Sequence, residues 1–390
     1  MIGTFQGVDV ALVVDDEWLP VEDEFLHRWR HPSGLELTAR WREGARPRLE
    51  IDVIPSSEVA MAPAPRLEVT SQHALVPWLG GASGEIIALT SNGPIAMTQQ
   101  RGYASGALPI VGILPEPLVV APGHPAASTW VFEAFEGDLI TAPPEPTWFP
   151  VRRHVPLGDD IELHLPDSVV TGIGVVEIDD GYLLENEPGL HTIQVGGPRG
   201  ITNLEVGWSL DWAELVRDAQ REAPDDLWCH LATVGGADFD VDEFDVRLAR
   251  ALEVPTLWAV LAASRAPDFG LPEVPDLAAA AGRIAEQDDV PTKVALFSWG
   301  LSDVSQLVGA PLGRIAFEGL QEFGLGRVMS RYPDGAERQL VPAWFWLAGL
   351  GESELAARVG GMVGLIQARA LCRASETLDP EAVAWLSLYM

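Results

Sequence analysis

The hydrophobic period of this chain changes once, near residue 208, and that change narrows the possible folds more than any other feature. Before it, apolar residues recur at every second position. Leu35, Leu37, Ala39 and Trp41 share one parity against Glu36, Thr38, Arg40 and Arg42. Leu49, Ile51 and Val53 alternate with Arg48, Glu50 and Asp52, and Ile161, Leu163 and Leu165 with Glu162 and His164. Such alternation puts one set of side chains on each face of an extended chain, so it predicts half-buried β-strands. Of the 31 prolines, 21 fall in residues 1–208. Each would cost about 3 kcal/mol inside a helix, which closes off a helical reading of this part. After Trp208 the period becomes 3.6. Val241, Phe244, Leu248 and Leu252 form one stripe, and Leu355, Val359, Met362 and Ile366 another. Pro311 and Asp379-Pro380-Glu381 read as helix starts.

The expected fold is therefore a multidomain chain of both classes: an antiparallel, β-sandwich-like N-terminal half followed by an all-α helical C-terminal domain. Boundaries are expected at 1–150, 151–208 and 209–390, with residues 143–150 (P-P-E-P-T-W-F-P) as a stiff connector. The middle segment has an immunoglobulin-like rhythm of short strands, with turns at Asp180-Gly181, Pro188-Gly189 and Gly196-Gly197-Pro198. It lacks the Cys–Trp–Cys core of true immunoglobulin domains.

Charge and cysteine content exclude several function classes. Lys+Arg is 25 and Asp+Glu is 57, giving a net charge of −32. That opposes a broad grip on nucleic acid or an anionic membrane, and neither is an expected partner. Two cysteines, Cys229 and Cys372, are too few for a disulfide framework or a zinc cluster. No basic segment precedes an apolar run at the N-terminus, so a cytoplasmic location is expected. No metal or cofactor is expected. The acidic run from Asp238 to Asp242 resembles a calcium loop, but its sixth and twelfth places are Glu243 and Ala249 rather than glycine and a bidentate acid. No nucleophile elbow, phosphate loop or dinucleotide turn is present.

Without such motifs, the sequence favours a soluble binding or assembly protein with no catalytic centre, whose partner is a small polar or sugar-like ligand or another protein. The alternative is a carbohydrate-active or other small-polar-ligand enzyme, hydrolase-like, that uses carboxylates and tryptophan platforms of the β-rich half. Glycosidases need only two carboxyl groups, which leave no compact motif. The candidate catalytic residue is Glu133, in S-T-W-V-F-E-A, where both strand parities are apolar and a carboxylate would be desolvated, with Arg101 as a nearby counter-charge. Of the 14 tryptophans, Trp78 and Trp148 are flanked by proline and glycine in expected loops and are the candidate exposed rings for a ligand. Arg152, Arg153 and His154 form a basic spot suited to an anion.

Overall fold

The computed structural model describes residues 1–22, 26–55, 57–90, 92–136, 149–150, 152–165, 168–235, 237, 239–286, 289–307, 335 and 337–389. The chain is mixed. Antiparallel strands dominate up to Ser209, and α-helices follow from Trp212.

Among the described residues of the first β region, strand alternation is realised as two large sheets and a two-stranded one, Ala60–Ala62 with Leu118–Val120. The larger has eight strands, in the order Leu19–Val21, His27–Arg30, Glu36–Arg42, Arg48–Ile54, Ala126–Ala134, Gly93–Arg101, Gly84–Thr90 and Leu75–Leu79. The other has five: Gly3–Phe5, Val8–Val13, Arg66–Ser71, Ile110–Gly112 and Ser105–Ala107. Val10, Leu67 and Val111 of the smaller sheet share one apolar core with Leu37, Ile51, Trp130 and Phe132 of the larger. The inward parity of the larger sheet is thereby spent on the core. Its opposite face carries Arg48, Glu50, Glu85, Thr98, Val131 and Glu133.

Residues 152–209 form a further β region around one long hairpin, Gly189–Gly197 with Gly200–Ser209. His154–Pro156 runs parallel beside Gly200–Ser209, and Val169–Thr171 flanks the other side. Ile161–Leu163, Gly181–Leu184 and Val175–Ile178 make a three-stranded companion sheet. Leu163, Leu184, Ile193, Leu204 and Trp208 supply the core between them.

The helices begin where their caps are. The Asp240 side chain accepts from the Glu243 amide at the start of Val241–Ala251, and Ser353 caps Glu354–Glu376 through the Ala356 amide. Asp379 accepts from the amides of Glu381 and Ala382 at Pro380–Leu386. The helix expected from Pro311 falls outside the described residues. The helix Glu354–Glu376 lies directly on the hairpin. A Cβ at Gly207 would meet the Cys372 Cβ at 2.9 Å, so the strand can approach only because that position is glycine. No helix among the described residues is long and apolar enough to cross a membrane.

Candidate functional site

The far end of the hairpin meets the first β region at the loop Gly80–Ser83. The Ala82 amide donates to the Ile201 carbonyl and the Asn203 amide to the Gly80 carbonyl, both at 2.8 Å. The hydroxyls of Ser83 and Thr202 lie 3.2 Å apart. Gly81 sits at φ +86°, with the Ile201 carbonyl oxygen 2.5 Å from where a Cβ would be, so both its backbone angle and the close approach require glycine. These contacts hold the hairpin turn, with exposed Arg199, over the outer face of the eight-stranded sheet.

Under that turn is a cleft of about 420 Å³, whose lining includes Arg46, Arg48, Glu85, Thr98, Glu133 and Arg199. Register fixes the two glutamates relative to each other. Glu85 is opposite Thr98, Thr98 is opposite Val131, and Glu133 is opposite Ala96. They therefore share a face, two strands apart and offset by two residues, with Cα atoms about 12 Å apart from standard sheet spacings. Glu133 accepts a charge-assisted hydrogen bond from Arg46 and keeps 33% of its side chain exposed. Glu85 is buried. Three arginines against two glutamates make the lining a positive island on a chain carrying −32.

Glu133 is thus on a strand, as the sequence suggests, but it is half-exposed rather than enclosed. Both parities look apolar because the outer face also carries Val131 and Ile87, next to Val76 and Leu89. Its partner is Arg46, not Arg101. Trp78 is not an exposed loop ring. It lies on the edge strand Leu75–Leu79, is only 7% exposed, and packs in the core of the second β region, its ring edge-on to Phe149 with centroids 5.6 Å apart. The proline and glycine around it mark the strand's ends at a junction between the two β regions. Trp148 lies outside the described residues.

Arg152, Arg153 and His154 line a different cavity, between the strand His154–Pro156 and the helix Glu354–Glu376. Arg152 is exposed, 3.4 Å from Asp159. Arg153 is buried, its guanidinium 5.6 Å from the Phe149 ring centre. The His154 side chain is 2% exposed, with Nε2 3.4 Å from Glu205 Oε1. Glu205 also accepts from Arg369, at 2.7 Å from Nε and 3.0 Å from Nη2. Burial pushes His154 down to about 4, against an opposing pull from Glu205. For Glu205, burial alone would raise the pKa, but the bonds from His154 and Arg369 outweigh it and hold the carboxyl well below the usual range. No group of three or more His, Cys, Asp or Glu arranged for a metal occurs among the described residues.

The cleft residues Glu85, Arg46, Arg48 and Arg199 are not singled out by sequence reasoning. Glu85 has a faint signal, since it stands on the outward parity of G-E-I-I-A-L-T. The arginines have none, because their proximity depends on pairings across distant segments.

The chain matches no described protein family and no curated protein. Among solved structures it is similar to a polysaccharide lyase, at 12% identity and a TM-score of 0.42, over 93% of this chain and 75% of that one. The expectation of a binding or assembly protein with no catalytic centre is corrected at this point. The outer face of the eight-stranded sheet gathers two carboxylates and three arginines in one cleft.

Proposed function

We propose that this chain is a carbohydrate-active, hydrolase-like enzyme that holds a polar, sugar-like substrate across the outer face of its eight-stranded sheet. In this reading the first β region is a sandwich, residues 151–208 an immunoglobulin-like module, and 209–390 a helical domain. The observation that carries the reading is the pair Glu133 and Glu85 in one cleft with Arg46, Arg48 and Arg199. Hydrolysis of a glycosidic bond needs one carboxyl group to protonate the leaving oxygen. It needs a second, as base, to take a proton from the attacking water. In inverting enzymes these groups are about 6.5–9.5 Å apart. Two glutamate side chains on Cα atoms about 12 Å apart can lean toward each other into that range. The arginines are the donors for sugar hydroxyls and for any acidic group on the ring. Trp78 supplies no platform, so recognition rests on these polar groups.

The test is release of reducing ends from a panel of neutral and uronate oligosaccharides. The parent protein is expected to cleave at least one. Glu133→Gln and Glu85→Gln are each expected to lower kcat by about 100-fold or more, the range of general acid–base catalysis, with circular dichroism unchanged. Their pH profiles then tell acid from base. A panel left wholly intact, or variants as active as the parent, overturns the reading.

A further inference from the structure

We infer that the cavity between the strand His154–Pro156 and the helix Glu354–Glu376 is a second ligand site, one that takes a small amphipathic carboxylate. The inference does not depend on the cleft over Glu133.

The cavity measures about 260 Å³. Its lining is of two kinds: the basic residues Arg152, Arg153 and His154, and the apolar residues Pro156, Leu365 and Leu371. No aspartate or glutamate lines it, although the chain carries 57 such residues. Of the nearby carboxylates, Glu205 is bonded by Arg369, and Asp159 lies 3.4 Å from Arg152 with half of its side chain exposed, so a ligand carboxylate shares or displaces that solvent-side contact. Gly364 lines it at an exposed position, where a Cβ meets nothing within 4 Å.

A ligand that satisfies both kinds of lining has an anionic head and an apolar body. The carboxylate meets the guanidinium of Arg152 at the mouth in a charge-assisted, bidentate-capable contact. The body covers Leu365 and Leu371, removing their surface from water. A bare phosphate or sulfate would satisfy the basic residues and leave the apolar ones wet. Such a ligand touches both the β region and the helix, so binding favours their docked arrangement and raises the melting temperature by mass action.

The probes are phenylacetate, hexanoate and the uncharged phenylacetamide, followed by titration calorimetry and thermal unfolding of the full chain. At least one of the two carboxylates is expected to bind and to raise Tm, with phenylacetamide at least tenfold weaker than phenylacetate. Arg152→Ala, at an exposed position, is expected to weaken the carboxylates at least tenfold. Gly364→Leu fills the cavity and replaces a helical glycine with a better helix former. It is expected to fold with Tm at or above that of the parent and to lose binding. Silence from both carboxylates overturns the inference. So does equal binding of acid and amide, or undiminished binding in either folded variant.

Discussion

Glu205 sits where two regions of the chain meet, and its environment shows how a partly buried carboxylate can be made safe. It accepts two hydrogen bonds from Arg369 and faces His154. Arg369 keeps only 7% of its side chain exposed and Glu205 27%, so the arginine has little water to fall back on. Removing one partner leaves the other charge stranded, which typically costs about 3–5 kcal/mol. Arg369→Ala is expected to lower unfolding stability by about that amount in urea titration, and adding Glu205→Gln to recover a good part of it. Equal stability of the single variant and the parent would mean the pair is solvated in solution. The same residue scale sets the limit on reading the cleft from sequence. Glu133 is legible as a carboxylate on a strand with two apolar parities. Arg46, its partner, lies 87 residues away in sequence and is brought near only by the pairing of Arg48–Ile54 with Ala126–Ala134. No local pattern encodes that distance.

At the scale of elements, periodicity carried most of the information. The alternation of Leu35–Trp41 and Leu49–Val53 became the adjacent strands Glu36–Arg42 and Arg48–Ile54, and the stripe from Val241 became the helix Val241–Ala251. Trp78 was misplaced because Pro77 and Gly80 signal a break in the chain. They do not reveal that the residue between them is covered by a neighbouring region. Helix starts were legible where an acid precedes a proline. Asp379 satisfies the amides of Glu381 and Ala382, at 3.0 and 3.3 Å, and the helix it opens sends Trp385 edge-on against Trp258, centroids 4.9 Å apart. Asp379→Ala removes the cap without touching that packing. The expected loss is about 1 kcal/mol in chemical denaturation, and Asp379→Asn, which still accepts, should lose less. A loss of several kcal/mol would place the aspartate in something other than a cap.

For the molecule as a whole, two enclosed histidines make acid stability a readable property. Burial holds His154 down to about 4 and His230 down to about 3. In the unfolded chain both regain an ordinary value near 6.5. Below about pH 6.5 the unfolded state therefore binds protons that the native state refuses, and the native state loses ground at up to about 1.4 kcal/mol per pH unit for each histidine. Stability should be full above pH 7 and fall between pH 6.5 and 4.5, read as a declining urea midpoint. Below that window the many surface carboxylates titrate, relieving the −32 self-repulsion, while Glu205 loses its ion pair, so the histidine slope is cleanest above it. His230→Gln is expected to flatten the slope, and a midpoint constant from pH 7 to 4.5 would contradict the enclosure of both rings. A different consequence follows from the strand Gly200–Ser209. Near its start it bonds the Gly80–Ala82 loop, its middle offers Glu205 to the helix, and Gly207 accepts only a bare backbone beside Cys372. One strand thus answers at once to the loop of the first β region and, at two points, to the helix Glu354–Glu376. In lineages descended from such a chain, this stretch would drift slowest, and the β-rich and helical parts would be inherited together, because recombination at their border would separate the strand from the helix that shaped it.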